Sequence, residues 1–156
     1  FSAEIRKEHH EEFSSIGGFF RQFELAMIAA EESDIIFTRT NIRGEDVYRY
    51  PINIEKNTAK ALFHNYVETA NALAKKPEFY NTISSNCTTV VFDLARMIDP
   101  GIPFNYKVLL SGYLPDYLYD QGVISHDIPR AQIKNAAHIN ERAIGNRENY
   151  SQRIRQ

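Results

Sequence analysis

The chain has one cysteine in 156 residues, Cys87, and its neighbours are of the types that open a helix. Ser84, Ser85 and Asn86 precede it, and Thr88, Thr89 and a run of apolar positions follow. Serine and asparagine side chains accept hydrogen bonds from first-turn N–H groups, so a helix is predicted to begin within a residue or two of Cys87. Unpaired N–H groups and the positive end of the helix dipole favour a thiolate at such a place, and the same donors suit the oxyanion of a tetrahedral intermediate. The chemistry this permits is nucleophilic attack on a carbonyl carbon. A second reading stays open on these residues alone, because a lone cysteine on an apolar helix face is commonly a small inert core residue. The spacing places Cys87 on the face that Val91, Leu94 and Ala95 are predicted to turn inward.

Tyr80 and Asn86 flank the cysteine and carry hydrogen-bond donors for a reacting carbonyl, although Asn86 serves equally well as a helix cap. Thr88 joins them as a candidate substrate contact. Thr88, Thr89, Val90 and Val91 form a β-branched run that is a poor helix start on propensity, so tertiary packing must hold the helix. His9-His10-Glu11-Glu12 has ligand chemistry but no HExxH spacing, and no metal site or cofactor is expected. His64, His126 and His138 are read as solvated. Phe19, Phe20, Phe23, Phe79, Phe92 and Phe104 are most simply core, with an acyl channel as the alternative for some of them.

The elements that must position these residues follow from periodicity. Ser2 to Glu8 alternates as a half-buried strand, with Ala3 and Ile5 on one face and Ser2, Glu4 and Arg6 on the other. Gly17-Gly18 breaks the chain, and Phe23 to Ala30 has the length and apolarity of a buried strand. Asp34 to Thr40 is ambiguous, while Val47 to Ile54 reads as a strand, with Pro51 placing it at an edge. Ala59, Leu62, Phe63, Tyr66, Val67, Ala70, Leu73 and Ala74 then recur at helical spacing, with Pro77 beyond the end. A second helix carries Val91, Leu94, Ala95 and Ile98 and stops at Pro100-Gly101. Short helices are predicted over Lys107 to Leu114, Pro115 to Gln121 and Pro129 to Ala137, followed by a polar end that is an exposed helix or a loosely held tail. Strands first and helices after them indicate an α+β fold in a single domain over residues 1–156.

Composition narrows the function. At 43% hydrophobic the chain can fill an ordinary core, and a net charge of −2 gives no electrostatic footprint for nucleic acid. No stretch approaches the roughly 20 apolar residues that cross a bilayer. A single cysteine excludes internal disulfides and multi-thiolate metal sites. The opening at Phe1, without a basic and apolar leader, leads to the expectation that the start is a cut.

Six segments carry a resemblance: EIRKE at Glu4–Glu8, FRQFEL at Phe20–Leu25, RTNIRGEDVYRYP at Arg39–Pro51, NALAKKPEFYNTISSNCTT at Asn71–Thr89, KVLLSGY at Lys107–Tyr113 and SQRIRQ at Ser151–Gln156. In this order they resemble the N-terminal periplasmic domain of the lipoprotein N-acylation transferase Lnb and its relatives. The resemblance implies a papain-like fold, a permuted relative of NlpC/P60 enzymes, with an antiparallel sheet packed against helices. It implies a periplasmic domain, tethered to the membrane in a longer protein, acting on phospholipid and lipoprotein at a membrane surface. It further implies that Cys87 attacks an acyl ester, holds the acyl group as a thioester and passes it to an amine. In the family the histidine base lies on a strand just ahead of the segment matching Ser2 to Glu8, so the chain is expected to lack that base and one or more N-terminal strands. His9 and His10 fall where relatives carry other residues and do not inherit the role. Glu4 is the candidate to orient the imidazole, against the plainer reading of a surface carboxylate. Arg21, Glu24, Arg39, Arg43, Glu45 and Asp46 match charged family positions, and Arg43 is the named candidate for a phosphate headgroup, against loop-ordering ion pairs. Tyr106 stands where many relatives have tryptophan. Three functions remain in play: acyltransferase, amidase or peptidase of the NlpC/P60 kind, and non-catalytic binding module.

Overall fold

The computed structural model describes residues 1–6, 23–81 and 86–156. The Gly17-Gly18 break, the His9 to Glu12 cluster, Phe19, Phe20, Arg21 and the cap candidates Ser84 and Ser85 lie outside them. The fold is mixed α+β. In chain order the elements are β1 (Ser2–Arg6), β2 (Glu24–Ile28), α1 (Glu32–Phe37), α2 (Lys56–Lys75), α3 (Cys87–Arg96), α4 (Leu114–Asp120), α5 (Arg130–Ala137), α6 (Asn140–Ala143) and α7 (Tyr150–Arg153). The described residues divide into two compact units, one of residues 1–28 and 54–120, the other of residues 29–53 and 121–156.

The first unit is built on the antiparallel pair β1 and β2, with Ser2 opposite Ile28 and Arg6 opposite Glu24. Strand alternation turns Ala3 and Leu25 inward, and both are buried. A short extended segment adds to the free side of β2: the Leu25 N–H donates to the Glu78 carbonyl at 2.8 Å and the Tyr80 N–H to the Phe23 carbonyl at 2.7 Å. That segment follows α2, which stops at Lys76 because the residue before a proline is driven out of the helical region; Lys76 sits at φ −140°, ψ 94°. The Tyr66 hydroxyl on α2 reaches the carbonyls of Ser2 and Ile28 at 2.9 and 2.7 Å, tying the helix to the open end of the strand pair. Against α3, Phe92, Val108 and Tyr117 form a core cluster with Ile102, Leu114 and Leu118 around it. Where one helix is predicted over Lys107 to Leu114, the chain makes two 3₁₀ turns, Tyr106–Val108 and Ser111–Tyr113, before α4. The Asn105 side chain caps the first of them by accepting from the Lys107 N–H at 3.1 Å.

The second unit holds the segments whose patterns were weakest. Asp34 to Thr40, ambiguous in sequence, is helical: α1 runs on into a π-helical turn at Thr38–Ile42. Val47 to Ile54 is not a strand; it makes isolated bridges, Tyr48 with His138 and Ile52 with Ile124. β-rich composition there met partners at single points only, and Pro51 between the bridges has no N–H to extend a ladder. The polar C-terminal end is docked, not loose. Tyr150 is 1% and Ile154 0% exposed, packed with Ile139, Ala143, Ile36, Phe37 and Val47. The Tyr150 hydroxyl shares a 2.9 Å hydrogen bond with Thr40, and Arg155 grips the Glu32 carboxylate with two N–H groups at 2.5 and 2.7 Å.

Candidate active site

The N-terminus of α3 is built by a reciprocal cap. Asn86 is extended at φ −94°, ψ 174°, and its Oδ1 accepts from the N–H groups of Thr88 at 2.8 Å and Thr89 at 2.9 Å. Thr89 Oγ1 in turn accepts from the Asn86 N–H at 2.8 Å. The other end of the Asn86 amide donates to the Leu109 carbonyl at 3.0 Å, which pins the cap to the turn after Tyr106–Val108. Asn86, Thr88 and Thr89 are all buried. Two orphan donors of the first turn are therefore satisfied internally, and the β-branched threonines hold their places by burial and hydrogen bonding rather than by propensity.

Cys87 is the first residue of α3 and is exposed. The inward face expected from Val91, Leu94 and Ala95 is corrected here. Val91 is 44% exposed, and the buried positions are Thr88, Thr89, Phe92 and Leu94. The expected face was drawn from the later apolar positions alone, whereas the cap buries the threonines of the first turn. The thiol consequently stands at the helix tip and not in a core.

Tyr80 and Glu4 approach this helix tip from two other elements. Tyr80 ends the extended segment beside β2, near enough to Cys87 and Glu4 for both to act on its hydroxyl. Burial pushes the Tyr80 hydroxyl above the usual tyrosine range, and negative charge at Cys87 and at Glu4 pushes the same way, against an opposing pull from the Cys87 backbone. Its proton is therefore held, which makes it a donor at neutral pH. Glu4, on β1, points to the same side of the strand as Ser2, whose hydroxyl donates to it at 2.6 Å. The packing of α3 against β1 brings the elements that carry Cys87 and Glu4 together across more than 80 positions of chain.

The remaining candidates have other settings. Thr88 is buried, with its N–H committed to Asn86. Arg43 lies in the second unit, 3.5 Å from Glu45, which Arg39 also grips at 2.9 Å. His138 meets Asp46 at 3.0 Å, and His64 is exposed on α2. Of the phenylalanines read as core, Phe23 and Phe92 are buried, while Phe79 and Phe104 are 57% and 59% exposed. Thr89 and Leu109 were not singled out in the sequence. The familiar capping-box signature asks for glutamate or glutamine at the third helical position, and threonine there hides the motif.

Among the described residues no helix is long and apolar enough to cross a membrane. No curated protein and no solved structure matches the chain. One family model does match, over residues 1–114, so that the segment at Lys107–Tyr113 lies inside the match and the one at Ser151–Gln156 outside it. The matched stretch takes in both strands, α1, α2, α3 and the cap beneath Cys87. By that match the chain belongs to the family of the Lnb N-terminal periplasmic domain.

Proposed function

We propose that this periplasmic domain transfers acyl groups through Cys87, taking a fatty acyl chain from a phospholipid ester and passing it to the amino terminus of a lipoprotein. The observation that carries this reading is an exposed thiol on the first residue of a helix whose first turn is buried and reciprocally capped, with the Tyr80 hydroxyl beside it. A nucleophile at the tip of a helix packed against an antiparallel pair also supports the papain-like relationship, with NlpC/P60 enzymes as the permuted comparison.

The chemistry balances in two steps. The sulfur attacks the ester carbonyl, the C–S bond forms, the C–O bond to the glycerol breaks, and the thiol proton passes through a base to the departing alkoxide. An amine then attacks the thioester, the C–N bond forms, sulfur leaves, and the proton lost by nitrogen returns to sulfur. Tyr80 donates to the carbonyl oxygen as it gains negative charge. The resemblance supplies the base as a histidine ahead of the Ser2 segment, and Glu4 is the positioning residue for that imidazole.

Incubation of the protein in its full-length chain with phospholipid, followed by intact mass, tests the reading. One acyl addition is expected, released by hydroxylamine and absent from Cys87→Ser. Acyl release to water with a lipoprotein amine present and left unacylated would assign a lipid hydrolase, and cleavage of a cell-wall peptide with no lipid adduct on the protein would assign an amidase or peptidase. Full retention of function by a folded Cys87→Ser protein would leave a binding module.

A further inference from the structure

An apolar groove of about 300 Å³ runs between α2 and α3. Leu25, Thr69, Ala72 and Leu73 line one side, and Val90, Leu94 and Met97 the other, with Lys76, Glu78 and Asp93 completing it. Its relation to the thiol follows from helix geometry. Positions 87, 90, 94 and 97 are spaced by three and four, so Cys87 heads the same stripe of α3 that forms one groove wall. Val90 lies about 5 Å along the axis from Cys87 at 1.5 Å per residue. A second element makes the same approach: Glu78 lines the groove, and Tyr80, two residues on in the same extended segment, lies near Cys87.

We infer that this groove seats the aliphatic chain of the acyl group carried on Cys87, and that Ala72, Leu73 and Met97 set the chain length it takes. The inference rests on Cys87 being the acyl acceptor. Length argues for the occupant. From Cys87 to Met97 the helix rises about 15 Å, which is half of the roughly 30 Å hydrocarbon core of a bilayer and hence the depth of one leaflet. One membrane-lipid chain spans that distance, starting at the sulfur. Charge argues the same way: Glu78 and Asp93 outnumber Lys76 along the lining, which disfavours a free carboxylate and suits a chain whose carboxyl is already an ester or thioester.

Binding to the Cys87→Ala protein tests the groove without requiring any reaction. Neutral monoacylglycerols from octanoyl to palmitoyl are titrated against the bound methyl ester of a fluorescent polyene fatty acid. Affinity is expected to rise about three- to fourfold per methylene and then level off once the groove is full. Ala72→Phe, which fills the groove, is expected to weaken palmitoyl binding at least about tenfold and leave octanoyl nearly unchanged. Met97→Glu, at a position already 64% exposed and so tolerant of change, is expected to do the same for the longest chains and serves if Ala72→Phe fails to fold. Affinity independent of chain length, or folded variants that bind every chain as the parent does, would overturn the inference. Chain binding without a Cys87 thioester in the parent would keep the groove and remove the acyltransferase reading; a thioester with length preference unmoved by either variant would do the reverse.

Discussion

Exposure and reactivity are separate properties of Cys87, and the structure supplies the first. A side chain on the first residue of a helix has no preceding turn to cover it, so an alkylating reagent reaches it without unfolding. Native protein is expected to be labelled by iodoacetamide at position 87 within an order of magnitude of the rate in guanidinium; labelling that waits for denaturant would mean the thiol is covered. Tyr80 offers the sharper test of chemistry. Tyr80→Phe keeps the 2.7 Å backbone bond to Phe23 and removes only the hydroxyl. Loss of one donor to a developing oxyanion costs on the order of 100-fold in turnover, so acylation is expected to slow by about that factor with KM little changed. An equal effect on binding and turnover would instead assign Tyr80 to substrate affinity. The helix start at Cys87 was legible because a cap is written in neighbouring residues. Glu4 was singled out by analogy, but its nearness to Tyr80 depends on which strand packs beside α3, and no local pattern states that.

Elements with one dominant period were read well. The stripe from Ala59 to Ala74 gave the long helix and alternation gave β1, while β2 was read from a short apolar run, although only Leu25 of it is buried. Val47 to Ile54 misled because its β-branched and aromatic residues pack against single points of the chain at 124 and 138 instead of a neighbouring strand. The face of α3 misled for a related reason, since Thr88 and Thr89 are polar in type and buried in fact. This makes the cap the element's controlling feature. Asn86→Ala removes the acceptor for two N–H groups and the donor to Leu109, so it is expected to destabilise the first unit by about 1–2 kcal/mol. Asn86→Asp keeps the acceptor and loses the donor, and is expected to fall between. Denaturant midpoints at unchanged slope measure both; equal stability of Asn86→Ala and the parent would show that burial alone holds the helix.

At the scale of the whole chain, closure of the second unit joins residues more than 100 positions apart, and electrostatics makes part of it dependent on acid. Ile154 is fully buried beneath this closure, so Ile154→Ala is expected to cost about 2–4 kcal/mol, measured by denaturation; a tail that only lay on the surface would lose almost nothing. Beside it, hydrogen bonds from Arg155 hold the Glu32 carboxyl below the usual glutamate range, against a smaller opposing push from burial. A carboxyl whose folded pKa lies below its unfolded value binds fewer protons when folded, so it contributes stability above the unfolded pKa of about 4.3. That contribution fades as pH falls through the lower, folded value, where Glu32 must be protonated and its pairing with Arg155 is lost. Both groups are partly open to solvent, Arg155 at 44% and Glu32 at 31%, so the effect is small and screened by salt. The difference in melting temperature between the parent and Glu32→Gln is therefore expected to be present near neutral pH, to shrink steadily below about pH 4, and to narrow with added salt at neutral pH. A difference that stays constant from neutral pH to well below pH 4 would mean that Glu32 holds the C-terminal segment by packing and hydrogen-bond geometry, with its charge playing no part.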